Sequence, residues 1–345
     1  MTESPILDLT AADEILAMVG TSDPKRGIPL IAKDSLVQRR IAAAVAGLRT
    51  GHRIVHGDAR DLGFLESESV HLVVTSPPYW DLKNYPDCDG QLGNVDDYLA
   101  FLSGLEQVWR ECCRVLVKGG RLVIVVGDVC RSRRRHGRHY VVPLHASIQT
   151  QCMDIGFDNL APILWYKIAN ANYEIENGSS FLGKPYEPNA VIKNDVEYIL
   201  MQRKPGAYRT PSLQARILSV IGNEEYQTWF RQIWSDVPGA STRKHPAPYP
   251  EELAYRLIRM FSFVGDTVLD PFAGTGTTCV AASRAGRHSI GVELEHDFVK
   301  MAVRRCAQAG LHLVDTPDGI SHQQTMFGDE APNEGDHQCK LATNS

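Results

Sequence analysis

The sequence predicts an α/β fold, a doubly wound and largely parallel sheet with one small insertion. Short β-branched runs alternate with amphipathic helical stretches along most of the 345 residues, which is the pattern of such sheets. Two strands end in sharp turns, at Ser76–Tyr79 and at the glycine-rich segment Asp270–Thr278. The chain shows no internal repeat of the kind that builds solenoids. Its length suits one substantial domain plus a smaller insertion.

The first part of the chain supplies eight expected elements. They are a helix over Ser35–Leu48, strands at Arg53–Val55 and Val70–Thr75, a helix opened by Asp96–Asp97 and closed by Gly119–Gly120, a strand at Arg121–Val126, a helix near Pro143–Met153, and strands near Leu160–Tyr166 and Val196–Met201. The helix after Asp97 is expected to bury one apolar face. That face is formed by Leu99, Leu102, Leu105, Trp109, Cys112 and Leu116.

The last part of the chain returns to the same alternation after an irregular stretch. Between Gln202 and His245, prolines, basic residues and aromatic residues replace clean periodicity, so this stretch is the candidate insertion. The elements expected after it are a helix over Pro250–Phe261, a strand end at Val268–Asp270, a helix over Thr277–Ala285 and a strand over His288–Glu293. The predicted division is a helical arm (1–50), a first domain half (51–201), the insertion (202–245), a second domain half (246–314) and a flexible acidic tail (315–345).

The formal net charge of −5 is unevenly distributed. The tail from Asp315 to Ser345 contains six acids and one lysine and accounts for all of it, so the rest of the chain is formally neutral. Within that rest, 131–138 contains five arginines, and 203–244 contains seven bases against three acids. Basic patches on a neutral body suit a polyanion that must be held and released. A solvated arginine loop is the alternative.

Several classes of protein are not expected. No apolar run approaches the roughly 20 residues of a membrane span, and Met1–Thr10 lacks the order of a signal peptide. We therefore expect a cytoplasmic protein. The eight cysteines form no CxxC pair and no Cys/His cluster at zinc spacing, so no metal is expected.

The segment Asp270–Thr278 reads DPFAGTGTT and joins a strand to a helix. Glycines let the backbone approach a ligand closely, and a helix N-terminus offers free amides. Glu293 ends the next strand, 23 residues after Asp270; in nucleotide-binding sheets an acid about 20 residues on typically binds ribose hydroxyls. Cys279 replaces the third glycine of a dinucleotide site, and the lysine of a P-loop is absent. Tight packing of the turn is the alternative to ligand binding.

The turn Ser76-Pro77-Pro78-Tyr79 stands at the carboxyl end of a strand, where open sheets place their ligands. Together with DPFAGTGTT it resembles the amino-methyltransferases of DNA, whose catalytic tetrapeptide is Asp, Asn or Ser followed by Pro-Pro and an aromatic residue. The resemblance spans roughly His52–Ala307. The catalytic motif precedes the cofactor loop, as in the permuted β class of these enzymes. That order implies that both ends of the chain build one Rossmann-like sheet, and that Gln202–His245 is the target-recognition region.

The resemblance implies S-adenosyl-L-methionine as cofactor, bound by Asp58, Asp270, Phe272, Gly274, Gly276, Thr278 and Glu293. It implies catalysis by Ser76, Pro77, Pro78 and Tyr79. In this scheme the hydroxyl of Ser76 and the carbonyl of Pro77 accept hydrogen bonds from the amine of a flipped-out base, and Tyr79 stacks on that base. It implies double-stranded DNA as partner, for which the candidate contacts are Arg131, Arg133, Arg134, Arg135, Arg209, Arg216 and Arg231.

The identity of the methylated base follows from residue 76. Serine there is usual for cytosine-N4 enzymes of the resembled family and aspartate for adenine-N6 enzymes, which favours a site-specific cytosine-N4 DNA methyltransferase. The alternatives are an adenine-N6 enzyme, a catalytically silent nucleic-acid-binding subunit, and an enzyme acting on RNA or protein. A homodimer is common in the resembled class, and Gln323–Phe327 is similar to peptides that dock sliding clamps. The amino-acid sequence identifies neither the DNA sequence that is recognised nor a restriction-modification partner.

Overall fold

The computed structural model describes residues 7–82, 88, 90–167, 194–239 and 249–315. The strands in these ranges are β1 Gly51–His56, β2 Val70–Thr75, β3 Leu116–Val126, β4 Val129–Arg131, β5 Tyr140–Val142, β6 Asp158–Tyr166, β7 Val196–Arg203, β8 Ile233–Trp234, β9 Thr267–Asp270, β10 His288–Glu293 and β11 His312–Asp315. The α-helices are α1 Ala11–Met18, α2 Pro24–Lys33, α3 Ser35–Ala46, α4 Tyr98–Val115, α5 Arg133–His136, α6 Leu144–Ile155, α7 Leu213–Leu218, α8 Asn223–Trp229, α9 Glu251–Phe261, α10 Thr277–Arg284 and α11 His296–Gln308. Two single 3₁₀ turns lie at Trp80–Leu82 and Leu92–Asn94.

Nine of these strands form one sheet in the order β11-β1-β10-β9-β2-β3-β7-β6-β8. Neighbouring strands from β11 to β3 are parallel, β7 is antiparallel to β3 and β6, and β8 is parallel to β6. The early strand β1 pairs with the late strand β10, with His56 opposite Glu293, and β2 pairs with β9. This confirms the predicted α/β sheet and the expectation that both ends of the chain build it.

Helices cover both faces of the sheet. In β2, Val73 joins the core under α4 and α6, whereas Val74 joins the core under α9 and α10. This alternation follows from the two-residue period of a strand. Because both faces are covered, both side chains are fully buried, and the strand is apolar on both faces as parallel strands usually are. None of the described helices is long and apolar enough to cross a membrane.

The helical arm packs on the region that the sequence marks as an insertion. The Asp34 side chain accepts hydrogen bonds from the backbone of Leu36 and Val37 at 2.8 and 3.1 Å, and thereby caps α3. Helices α1 to α3 share a hydrophobic core with α7, formed by residues that include Ile15, Ile31, Ile41, Ile217 and Leu218. Strand β8 from the same region joins the sheet edge. The described part of 202–245 is therefore integrated with the arm and the sheet.

Two local predictions about α4 are wrong. The helix ends at Val115, and Gly119 and Gly120 lie inside the following strand β3. Leu99 is 73% exposed, whereas Phe101 is fully buried. The other predicted members of the face are confirmed, since Leu105, Trp109, Cys112 and Leu116 are fully buried and Leu102 is partly buried. The buried stripe also includes Phe101, Val108 and Val115.

Candidate active site

A cleft opens at the carboxyl edge of the sheet, where β1, β2, β9 and β10 end. The space between its walls, which is open to solvent, is about 620 Å³. The turn after β2 contributes Ser76 and Pro78, and the loop after β9 contributes Phe272 and Gly274. The cleft is also lined by Gly57, Asp58, Ala59, Gly90, Gln91, Leu92, Pro271, Glu293, Leu294 and Phe298. The structure thus brings the two predicted motifs to one site.

Asp270 is buried behind this cleft, with 1% of its surface exposed. Its Oδ1 accepts hydrogen bonds from the Thr75 hydroxyl at 2.7 Å and the Phe272 N–H at 3.1 Å. Its Oδ2 accepts from the Tyr249 hydroxyl at 3.1 Å and from the Thr278 hydroxyl. Burial raises the pKa of Asp270 and outweighs these hydrogen bonds, which lower it. Asp270 and Thr278 were predicted as cofactor contacts. In the structure their hydrogen bonds link the end of β2 to the glycine-rich loop on the side away from the cleft.

Glu293 faces the cleft and is held by backbone amides. Its Oε2 accepts a hydrogen bond from the Gly274 N–H at 2.8 Å, and its Oε1 accepts one from the Glu295 N–H at 2.9 Å. Burial raises the pKa of Glu293, opposed by these amide hydrogen bonds. A carboxylate has about four acceptor positions, so about two remain for a ligand. The carboxylate is thus fixed in place with acceptor capacity to spare.

Gly276 has a packing role in addition to its place in the loop. Its φ is +78°, in the region that favours glycine, and it precedes α10. A Cβ at this position would lie 3.3 Å from the Ala302 Cβ and the Cys306 Sγ of α11. The glycine therefore allows α11 to pack closely on the turn of the loop.

Asp58 lines the cleft just after β1 and is paired with Arg60. The Arg60 Nε lies 3.0 Å from both carboxylate oxygens of Asp58, and the Arg60 backbone N–H donates to Oδ1 at 2.9 Å. Burial alone would raise the pKa of Asp58, but the hydrogen bonds and charge of Arg60 together lower it. Phe298 and Leu294 add apolar surface beside it. The sequence did not reveal these two residues, because no motif marks them.

The Ser76–Tyr79 turn is tightly packed. The Ser76 Oγ and the Tyr79 hydroxyl are 3.4 Å apart, and Tyr79 is only 7% exposed. A Cβ on Gly127, just after β3, would lie 3.4 Å from the Tyr79 ring and 3.3 Å from the Glu197 side chain. A side chain at Gly127 would thus crowd the Glu197 side chain and touch the Tyr79 ring.

The seven arginines predicted to contact DNA fall into two groups. The Arg131 side chain is 7% exposed and is paired with Asp81 at 2.5 Å. Arg209 donates two hydrogen bonds to Asp266, at 2.6 and 2.5 Å. Both guanidinium groups are thus occupied within the protein. The exposed members are Arg133, Arg134, Arg135, Arg216 and Arg231. The clamp-like peptide Gln323–Phe327 lies outside the described residues.

Comparison with known proteins identifies the family. The model of the N6/N4 DNA methylase family matches residues 70–304. Type II methyltransferase M.MjaI of Methanocaldococcus jannaschii is 40% identical over 277 residues, which cover 72% of this chain and 88% of that protein. DNA adenine methyltransferase YhdJ of Escherichia coli is 31% identical over 288 residues, which cover 79% and 88%. The chain belongs to the N6/N4 DNA methylase family.

A solved relative agrees with this result. TTHA0409 of Thermus thermophilus, assigned as a DNA modification methylase, was crystallised with S-adenosyl-L-methionine. It is 51% identical to this chain and superimposes with a TM-score of 0.64, over 79% of this chain and all of that one. The fold is therefore the α/β fold of DNA methyltransferases.

Proposed function

We propose that this chain is a site-specific DNA methyltransferase that transfers a methyl group from S-adenosyl-L-methionine to the N4 amine of a flipped-out cytosine. The observation that carries the proposal is the single cleft formed by Ser76, the glycine-rich loop and Glu293. Membership of the N6/N4 DNA methylase family supports an amine of a DNA base as the acceptor. The order of the two motifs along the chain supports the permuted β class.

The residues of the cleft fit this cofactor. Phe272, Leu294 and Phe298 offer apolar surface for a purine ring, and Glu293 retains acceptor positions for ribose hydroxyls. Gly274 adds no side-chain bulk to the wall. The relative from Thermus thermophilus binds the same cofactor. When bound, S-adenosyl-L-methionine supplies an activated methyl group on a sulfonium centre.

The contribution of Ser76 and Pro77 is to prepare the amine. The lone pair of this amine is delocalised into the base ring, so the nitrogen is a poor nucleophile. Hydrogen bonds from the amine to the Ser76 hydroxyl and the Pro77 carbonyl would hold it pyramidal and direct its lone pair into the cleft. Proline fixes the backbone of the turn. With an activated donor, the site needs orientation of the reactants more than a strong base.

Tyr79 would stack on the flipped-out base. Stacking on an aromatic ring is worth about 1–3 kcal/mol per base, which offsets part of the cost of unpairing. Tyr79 is 7% exposed without DNA, so the proposal requires its side chain to rotate when a base enters. Of the predicted DNA contacts, we retain the five exposed arginines.

A second candidate is methylation of the N6 amine of adenine. The relationship to YhdJ, a DNA adenine methyltransferase, favours it. Serine at position 76 favours cytosine, on the resemblance described above. Both bases place an amine beside a ring nitrogen, so the described contacts serve either of them.

The test of the role of Ser76 is the variant Ser76→Ala. We expect cofactor affinity within about threefold of wild type by calorimetry, and methyl transfer to duplex DNA reduced about 100-fold, the size of losing one preorganised hydrogen bond. Ser69→Ala is the control, because the Ser69 hydroxyl lies outside the cleft and donates to the Glu66 carbonyl. Wild-type transfer rates in Ser76→Ala would contradict the proposed role. Wild-type protein that binds cofactor and DNA without transfer would favour a silent binding subunit.

A further inference from the structure

Arg131 is buried between the Ser76–Tyr79 turn and the arginine-rich hairpin formed by β4 and β5. It ends β4, which pairs with β5, and the connection between these strands carries Arg133–His136 in α5. Its Nη1 donates to the Asp81 Oδ2 at 2.5 Å. The carbon of its guanidinium group lies 3.8 Å from the ring centroid of Trp80, at cation–π distance. Arg131 thus contacts both residues that directly follow Tyr79.

Trp80 is held in an unfavourable backbone conformation. Its φ is +50°, which is rare for a bulky residue and persists only where the surroundings impose it. Its indole N–H donates to the Val95 carbonyl at 2.8 Å, and its ring lies 4.8 Å from the ring of Tyr98. The guanidinium group of Arg131 adds a further contact to the same ring. Because Trp80 is bonded to Tyr79, these contacts also restrain the backbone of Tyr79.

The pairing of Arg131 with Asp81 is incomplete. Arg131 Nε and Asp81 Oδ1 are buried and have no hydrogen-bond partner in the described structure. A guanidinium and a carboxylate can form two parallel hydrogen bonds, but here one bond between them is formed and an atom of each group is left unsatisfied. Buried polar atoms without partners are uncommon in native proteins and call for a functional explanation. Within the described residues, the pair is therefore joined by one hydrogen bond.

We propose that Arg131 is a positioning residue for methyl transfer, which holds the backbone of the Ser76–Tyr79 turn through Trp80 and Asp81 and does not contact DNA. The proposal rests on the proposed function of the Ser76–Tyr79 turn. It replaces the role as a DNA contact that the arginine-rich sequence suggests for Arg131. That role is left to the exposed arginines of the same hairpin.

The first test compares Arg131→Met with Arg134→Met, an exposed arginine three residues further along. For Arg131→Met we expect kcat at least tenfold lower, KM for DNA within twofold, and an unchanged dependence of DNA affinity on salt. For Arg134→Met we expect a higher KM and a logarithmic salt slope shallower by about 0.9, the value for one lost phosphate contact. A raised KM and a shallower slope in Arg131→Met would make Arg131 a DNA contact and overturn the proposal. An unchanged kcat would overturn it as well.

A second test does not depend on activity. The indole N–H signal of Trp80 is one of five in a tryptophan-labelled nitrogen-15 spectrum, and Trp80→Phe assigns it. We expect Arg131→Met to shift this signal and Arg134→Met to leave it in place. A Trp80 signal unmoved by Arg131→Met would overturn the proposal. If the wild type does not methylate DNA, the proposed function fails, and this signal still decides whether Arg131 positions Trp80.

A third variant covers a failure to fold. If Arg131→Met loses its dispersed spectrum, Asp81→Asn takes its place, since it keeps the side-chain shape and removes the charge. We expect Asp81→Asn to lower kcat at least fivefold, with KM for DNA within twofold, and to shift the Trp80 signal. Wild-type kcat together with an unmoved signal would overturn the proposal.

Discussion

Asp270 has a structural role in the fold, whereas its sequence motif suggests a cofactor-binding role. The motif predicts a contact with the cofactor, whereas the structure places the carboxylate behind the cleft, where it joins β2 to the glycine-rich loop. Replacing Asp270 with alanine removes the acceptor for three hydroxyls and one backbone amide. We therefore expect Asp270→Ala to destabilise the fold. Loss of cofactor binding should follow only from that instability.

The magnitude follows from the donors left behind. Tyr249 and Thr278 are also within hydrogen-bond distance of each other, so they retain one partner, whereas Thr75 and the Phe272 amide lose theirs. An unsatisfied buried donor costs about 1–3 kcal/mol. Two such donors predict a loss of about 2–6 kcal/mol in the free energy of unfolding. Asp270→Asn keeps one carbonyl oxygen for these two donors, and we expect a loss of about 1 kcal/mol.

The assay is urea unfolding, followed by circular dichroism, of Asp270→Ala, Asp270→Asn and the control Asp154→Ala. Asp154 is exposed near the end of α6, and its replacement should change stability by less than about 0.5 kcal/mol. Cofactor affinity is then measured by calorimetry on the folded variants. Wild-type stability of Asp270→Ala combined with loss of cofactor binding would refute this reasoning and restore the role as a ligand contact.

Three further predictions concern the surroundings of the site and the charges of the fold. Gly127→Ala places a methyl group about 3.4 Å from the Tyr79 ring, and we expect methyl transfer about tenfold slower with unchanged cofactor affinity; an unchanged rate would contradict it. Burial lowers the pKa of His52 to about 3, so below about pH 6.5 the unfolded state binds the proton first. The free energy of unfolding should therefore fall by about 1.4 kcal/mol per pH unit between pH 6.5 and pH 3. Unfolding curves of His52→Gln that show the same pH slope as wild type would be inconsistent with this. Arg209→Met removes the arginine partner of Asp266, whose side chain is 7% exposed and keeps, among the described residues, only the hydrogen bond from the Phe263 N–H and the nearby His71 ring. We expect a loss of about 3 kcal/mol with an unchanged salt slope of DNA binding, and a shallower slope would indicate a DNA contact.

The sheet could be predicted from the sequence because its signals are local. Val70–Thr75 and His288–Glu293 form strands with the predicted bounds, since β-branched runs bounded by turn residues identify strands. The hairpin of β4 and β5 was missed, because strands of three residues show no periodic pattern. Leu99 was wrongly assigned to the buried face of α4, because Leu99 and Phe101 are both apolar and only packing on the sheet distinguishes them.

The two acids of the cofactor motif show what the sequence could not supply. Asp270 and Glu293 both end a strand and looked equivalent as ligand contacts. One is buried behind the cleft because Thr75 and Tyr249, which are distant in sequence from one another, meet at its oxygens. The arginines show the same limit. A cluster in the sequence shows where charge is concentrated, but the partners of Arg131 and Arg209 depend on the fold.

The proposed reaction is methylation of the N4 amine of cytosine in duplex DNA. The most direct measurement is incubation of the purified protein with mixed-sequence duplex DNA and labelled S-adenosyl-L-methionine, followed by digestion to nucleosides and mass analysis. We predict labelled N4-methylcytosine with wild-type protein and about 100-fold less with Ser76→Ala. Labelled N6-methyladenine would contradict the assignment of the base, and unlabelled DNA would contradict the proposed function itself.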